Sequence, residues 1–76
     1  MMNQNRARHL REQTEAILRL RDEGFRVEQL TPYQFRIHDV LDLYPTRQRY
    51  HDIVRNERGD YLDPLTIATR IVRALQ

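Results

Sequence analysis

Hydrophobic and polar residues follow two different periods along this chain, and the change of period marks its elements. From about residue 4 to 23, apolar side chains recur at three- and four-residue spacing, which is the pattern of an amphipathic helix. Gly24 stands where such a helix would end, because glycine accepts the left-handed conformation of a C-cap. We expect residues 1–5 to be frayed, as chain ends commonly are.

The middle of the chain has the period of two that half-buried strands show. The alternation predicts strands at about 25–30, 33–38 and 40–44. Thr31-Pro32 breaks the first strand, and His38-Asp39 falls where a tight turn is needed between the other two. This pair is not the Asn-Gly or Asp-Gly usual in a two-residue hairpin. Asp and His nevertheless tolerate positive φ better than most residues.

Beyond Tyr44 the pattern is less regular until a second helix begins. Residues 45–48 fit a turn, residues 50–54 fit either a fourth short strand or an irregular return, and residues 56–60 fit a loop. A helix is predicted at about 64–75. Asp63 is a suitable N-cap, and Pro64 occupies the first helical position, where its missing N–H costs nothing.

These elements predict an α+β domain over residues 1–76, built as helix, antiparallel meander of three or four strands, and helix. Both helices should pack on one face of the sheet, because each element has a single apolar face. The expected core consists of Leu10, Ile17, Leu20, Phe35, Ile37, Leu41, Leu43, Leu65, Ala68 and Val72.

Composition limits the class of protein. A chain of 76 residues without cysteine buries only about 60% of its unfolded surface and has no disulfide to support it. Good packing, a second copy or a partner must supply the stability, so a monomer and a homodimer are both open. The apolar runs are too short to span a membrane, and the first ten residues lack a signal-peptide core. We therefore expect a cytoplasmic protein without membrane contact.

No motif predicts catalysis, a metal or a cofactor. Two His-Asp pairs occur, His38-Asp39 and His51-Asp52, but adjacent strand residues point to opposite faces and rarely chelate one ion. A turn-stabilising Asp beside a surface His is the simpler interpretation. Gly59, within an Arg-Gly-Asp tripeptide, is expected to serve a turn. The sequence thus favours a binding protein over an enzyme.

Arginine is the residue type that indicates binding. All thirteen basic residues are arginines, a bias that a GC-rich coding genome also explains, and the net charge is only +2. Arginine makes planar, bidentate contacts to carboxylates, phosphates and bases. The candidate partner-binding residues are Arg47, Arg49, Tyr50, His51, Arg55 and Arg58, which acidic residues interrupt in a way that suits a protein partner. Nucleic acid is the alternative partner, held by sheet aromatics together with Arg6, Arg8, Arg11 and Arg36.

Several short sequences occur together in the region from about residue 30 to 61. They are Tyr33-Gln34-Phe35-Arg36-Ile37, Leu41-Asp42-Leu43-Tyr44-Pro45-Thr46, Arg49-Tyr50-His51-Asp52-Ile53 and Arg58-Gly59-Asp60-Tyr61. In this combination the chain resembles a set of very small bacteriophage and prophage proteins. Those proteins often have Arg-Ile-Asn-Gly before Leu-Asp-Leu-Tyr-Pro, where this chain has His38-Asp39 in place of Asn-Gly.

The resemblance implies a mobile-element origin and transfers no catalytic residue. Small phage proteins of this size often bind and inhibit one host machine, such as RNA polymerase, a nuclease or a CRISPR complex. The expected function is therefore that of a non-catalytic binder of a host bacterial protein or complex. The order of elements also resembles the double-stranded-RNA-binding domain, but residues 63–69 lack the basic motif which that family places at the start of its last helix.

Overall fold

The computed structural model describes residues 4–75, which form two helices and a five-stranded antiparallel sheet. The helices are α1 (Gln4–Leu18) and α2 (Pro64–Val72), and each continues into a short 3₁₀ turn, Arg19–Glu23 and Arg73–Leu75 respectively. The strands are β1 (Val27–Thr31), β2 (Gln34–Ile37), β3 (Leu41–Tyr44), β4 (Arg49–Asp52) and β5 (Glu57–Asp60). They lie side by side in sequence order. The predicted α+β class and order of elements are confirmed.

The predicted helix ends are also confirmed. Gly24 caps the 3₁₀ turn that follows α1, with φ of 90°. At α2 the Asp63 carboxylate accepts hydrogen bonds from the backbone N–H and the hydroxyl of Thr66, at 3.0 and 2.8 Å. Of the residues expected to be frayed, 1–3 lie outside the described part, whereas Gln4 and Asn5 already belong to α1.

The number of strands was underestimated. Residues 57–60, expected to be part of a loop, form the edge strand β5, which pairs with β4 along its whole length. The chain reverses from β4 into β5 through a turn at 53–56. Asn56 adopts φ of 54° in this turn, and the buried Asp52 carboxylate accepts a hydrogen bond from the Arg55 backbone N–H at 3.1 Å. A short polar side chain that bonds the backbone two or three residues on is a strong turn former.

His38 and Asp39 form a tight turn between β2 and β3 despite their unusual sequence, but the loop has three residues, 38–40, because Ile37 pairs with Leu41. Both residues have positive φ, 51° and 62°, which is the requirement of a type I′ turn. The Val40 N–H donates to the Ile37 carbonyl at 3.1 Å and closes the turn. The sheet therefore has a tight connection where β2 meets β3.

The core lies between the helices and one face of the sheet. Its buried apolar residues are Ile17, Leu20, Phe25, Val27, Phe35, Ile37, Leu41, Leu43, Tyr61, Ile67, Ala68, Ile71 and Val72. Two predicted core residues were wrong. Leu10 is only half-buried, because α1 reaches the core through its C-terminal end, and Leu65 is 37% exposed, because α2 turns Ile67 and Ile71 toward the sheet instead.

Tyr50 belongs to the helix side of the sheet. Its ring packs against the core, its hydroxyl accepts a hydrogen bond from Arg70 of α2 at 3.1 Å, and the Arg70 guanidinium lies 5.6 Å from the ring centre. Gly59 lies beside it on β5, where an added Cβ would come within 2.9 Å of the ring. Within the described residues, neither helix has the length and apolarity needed to cross a membrane.

Candidate functional site

The face of the sheet turned away from the helices carries a polar row that crosses all five strands. Side chains alternate between faces along a strand, so Phe35, Ile37, Leu41 and Leu43 enter the core while their neighbours take the opposite, open face. Strand register then aligns one residue from each strand. In order across the sheet, the row is Glu28, Arg36, Asp42, His51 and Arg58.

Asp42 lies at the centre of this row, and its side chain is held in place by its neighbours. Its carboxylate is almost completely buried and accepts hydrogen bonds from Arg36 Nε at 2.8 Å, Arg36 Nη2 at 3.0 Å and Gln34 Nε2 at 3.0 Å. The hydrogen bond to Asp42, together with its negative charge, raises the pKa of the Arg36 guanidinium above its ordinary value. Gln34 also donates to the Tyr44 hydroxyl at 3.3 Å, so the centre of the open face is held by a connected network.

A cationic cleft of about 470 Å³ lies beside this network, and we call it the arginine cleft. It is lined by Tyr44, Arg47, Arg49, Tyr50, His51 and Arg58. Arg49 forms a long, exposed ion pair with Asp60 at 3.6 Å, and His51 Nε2 lies 3.0 Å from Asn56 Oδ1. Neither Arg47 nor Arg58 forms a hydrogen bond or ion pair with any described residue. Of the three guanidinium groups in the cleft, only that of Arg49 has a carboxylate partner among the described residues.

A second polar cleft, of about 650 Å³, lies along β1 and differs from the arginine cleft in that its arginines are already paired. Its arginines are Arg21, Arg26 and Arg36, and each has a partner within the chain. Arg21 donates to the Val27 carbonyl at 2.8 Å, Arg26 pairs with Asp39 at 2.9 Å, and Arg36 is held by Asp42. An incoming anion would have to displace these contacts, which makes this cleft the weaker candidate.

A third cleft, of about 600 Å³, lies between the first turns of α1 and the ends of two hairpins. It is lined by Asn5, Arg6, Ala7, His9, Leu10, Tyr33, Thr46 and Arg47. Arg47 borders both this cleft and the arginine cleft. Arg6 of the predicted nucleic-acid set therefore lies close to the predicted partner-binding set.

Five of the six predicted partner-binding residues border the arginine cleft. Arg47, Arg49, His51 and Arg58 meet in the arginine cleft. Tyr50 is the fifth, and its ring lies against Arg70 on the helix side of the sheet. Arg55 lies in the turn at the other end of β4, where its guanidinium is 3.9 Å from Asp52 and does not line the cleft.

The residues of the alternative set lie on two different elements. Arg36 is held by Asp42 on the open face of the sheet and borders the second cleft, whereas Arg6, Arg8 and Arg11 lie on α1, with Arg6 at the third cleft. The aromatic platform expected of a sheet that stacks bases is missing from the open face. Phe25, Phe35 and Tyr61 are buried in the core and Tyr50 packs on the helix side, which leaves Tyr44 on the open face and Tyr33 in a turn.

Sequence reasoning missed two residues of the site, Asp42 and Tyr44. The alternation of side chains along a strand was the available signal, because Asp42 lies between Leu41 and Leu43 and must face away from the core. The same alternation separates His51 from Asp52: His51 points to the open face and Asp52 to the helix side. Among the described residues, no group of three or more His, Asp or Glu side chains is arranged to hold a metal ion.

Comparison with protein-family models, with curated proteins and with solved structures gives no match to this chain.

Proposed function

We propose that the protein is a non-catalytic binding module that uses the arginine cleft to hold an acidic surface of a partner protein. The supporting observation is that Arg47 and Arg58 have no partner within the described chain while both border one cleft. The sequence resemblance to small phage and prophage proteins favours a host bacterial protein or complex as the partner.

The chemistry of the cleft suits carboxylates. A guanidinium group presents a planar fork of N–H donors that matches a carboxylate bidentately. Arg49 and Arg58 lie on neighbouring strands, and Arg47 approaches from the turn at 45–48. Because two of the three are anchored on a sheet whose centre is fixed by Asp42, their backbone positions are set before binding, which lowers the entropic cost of association.

A protein partner fits the open face better than nucleic acid does. The row that leads into the cleft is mixed in charge, since Glu28 lies at its end and Asp42 lies between Arg36 and Arg58, and Asp60 borders Arg49. A phosphate backbone would meet the exposed carboxylates of Glu28 and Asp60 with like charge, whereas a protein surface can match both signs. The buried aromatics also remove the stacking surface that a single-stranded nucleic acid requires.

Affinity capture from a nuclease-treated bacterial lysate tests the proposal. Three baits are compared: the wild type, the double variant Arg47→Ala/Arg49→Ala, and the control Arg19→Ala. Arg19 is a matched exposed arginine on the 3₁₀ turn after α1, away from the cleft. We expect at least one protein to be retained by the wild type and the control and lost by the double variant. Equal retention on all three baits would overturn the proposal.

A salt titration with a labelled single-stranded oligonucleotide separates the alternative function. Phosphate contacts make affinity fall steeply with salt, by about one unit of the log–log slope for each arginine involved. Tight binding with such a slope, reduced in turn by Arg6→Ala, Arg8→Ala and Arg11→Ala, would favour nucleic acid. We expect weak binding that these three variants change little.

A further inference from the structure

The outer side of β5 is an open sheet edge. β5 is the last strand of the sheet, and Glu57, Arg58 and Asp60 are exposed. The Tyr61 N–H donates to the Gln48 carbonyl at 2.8 Å and so points toward β4. Since backbone groups alternate in direction along a strand, the N–H and C=O groups of Arg58 and Asp60 point outward. These are the groups that a further strand would bind.

The sequence of β5 is complementary to itself in the antiparallel direction. If a second copy pairs with its own β5 about Gly59, Arg58 lies directly opposite the partner's Asp60, and Asp60 lies opposite the partner's Arg58. Opposite charges on directly paired residues stabilise a sheet, and like charges destabilise it. All four of these side chains lie on the open face, since Arg58 and Asp60 both alternate with Gly59.

We propose that two copies of this chain join edge to edge through β5 as a symmetric dimer with one continuous sheet. In each of the two pairs of Arg58 with the partner's Asp60, the outward N–H and C=O groups of one chain face those of the other. The dimer therefore forms about four inter-chain hydrogen bonds. Gly59 lies on the twofold axis as a pair without backbone hydrogen bonds, where the strands approach most closely. It has no side chain to obstruct that approach.

Exposed apolar side chains at both ends of β5 support the same arrangement. Leu62, just after the strand, is 91% exposed, and Val54, in the turn before it, is 59% exposed. Antiparallel pairing places Leu62 of each copy beside the partner's turn at 53–56. The dimer therefore shields from water two apolar side chains of each copy, Leu62 and Val54, that the isolated chain leaves exposed.

The dimer places both arginine clefts on the same face of one sheet, on either side of the twofold axis. Asp60 of each copy lies between Arg49 of its own chain and the partner's Arg58, so the polar row of mixed charge continues across the axis. The dimer pairs Arg58 with the partner's Asp60, so Arg47 and Arg49 are the arginines left in each cleft to bind an acidic partner. The dimer forms whether or not the clefts bind a partner, so it does not depend on the proposed function.

Charge exchange within β5 tests the dimer. Light scattering and sedimentation equilibrium on the full chain, from about 10 µM to about 1 mM, should give twice the 9.3 kDa of one chain at the upper end. Arg58→Asp alone and Asp60→Arg alone each place like charges opposite one another, and each should raise the dimer dissociation constant about tenfold or more. The double variant Arg58→Asp/Asp60→Arg restores the pairs with reversed sign, and its dissociation constant should return to within about threefold of the wild type.

Amide hydrogen exchange gives a second readout that does not depend on the variants folding well. In the wild type, the Arg58 and Asp60 amides should become protected as the concentration rises through the dimerisation midpoint. A monomeric mass at every concentration would overturn the proposal. So would a double variant as weak as the single variants, or a dimer in which these two amides still exchange freely.

Discussion

Replacing Asp42 with alanine removes the carboxylate on which the open face is organised. Asp42 is 2% exposed and accepts three hydrogen bonds from Arg36 and Gln34, at 2.8 to 3.0 Å. Without it, the Arg36 guanidinium loses its counterion and the Gln34 amide loses an acceptor. The Arg36 side chain is 35% exposed, so water replaces part of what is lost.

The expected cost follows from this difference in burial. A hydrogen bond to a charged group contributes about 1.5–3 kcal/mol, and bonds within one network are not additive. Because Arg36 regains water, Asp42→Ala should lower the free energy of unfolding by about 2–3 kcal/mol. Arg36→Ala leaves a buried carboxylate without its cation and should cost more, about 3–5 kcal/mol. The double variant should cost less than the sum of the two.

Urea unfolding followed by circular dichroism measures all three variants, with Arg26→Ala as a control that breaks an exposed ion pair. In a domain of this size, 1 kcal/mol shifts the melting midpoint by about 4–8 °C, so Asp42→Ala should melt about 8–24 °C below the wild type. A loss under about 0.5 kcal/mol, or a greater loss for Asp42→Ala than for Arg36→Ala, would refute the reasoning.

Three further predictions concern the core, a buried hydroxyl and metal ions. Phe35→Ala empties a fully buried site and should cost about 3–5 kcal/mol in urea unfolding. Tyr61→Phe should raise stability by about 1 kcal/mol, because the buried Tyr61 hydroxyl has no hydrogen-bond partner among the described residues. Burial raises the pKa of the Tyr61 hydroxyl, so the unfolded chain loses this proton at a lower pH than the folded chain does. The free energy of unfolding of the wild type should therefore fall as the pH rises above about 10, and that of Tyr61→Phe should fall less. The melting midpoint should be the same in EDTA as with magnesium, manganese or zinc.

Different results would contradict each of these predictions. Wild-type melting of Phe35→Ala would mean that the strand register is shifted by one residue. A loss of stability in Tyr61→Phe would mean that the hydroxyl is bonded, and an unchanged alkaline limb would mean that another group titrates there. A shift of several degrees with one metal ion would revive a metal site at the His-Asp pairs.

The periodic elements were predictable from sequence, and the irregular ones were not. The helices and the first three strands have a clear apolar period and recognisable caps, such as Gly24 and Asp63. β5 has neither β-branched nor aromatic residues, and its sequence alone is typical of a loop. It is a strand because the turn at 53–56 directs it back along β4, and because Gly59 leaves room for the Tyr50 ring.

The candidate site was predicted in part for a related reason. Local arginine density identified Arg47, Arg49 and Arg58, and strand pairing brings them together. Which face each residue takes depends on strand register, and that register was uncertain from residue 45 onward because the fourth and fifth strands were not firmly predicted. The sequence therefore did not place Tyr50 against Arg70 on the helix side. Asp42 was left out for another reason: its alternation with Leu41 and Leu43, which puts it on the open face, was not used.

The central claim is that the arginine cleft holds an acidic partner, and its most direct test is a calorimetric titration of the captured partner into three forms of the chain. The forms are the wild type, Arg47→Ala/Arg49→Ala and Arg19→Ala, each first shown to unfold at the same urea midpoint. The cleft variant should bind about 30-fold more weakly or worse, equivalent to a loss of at least 2 kcal/mol, while Arg19→Ala binds as the wild type does. Equal affinity for all three forms would contradict the claim and place the binding surface elsewhere on the molecule.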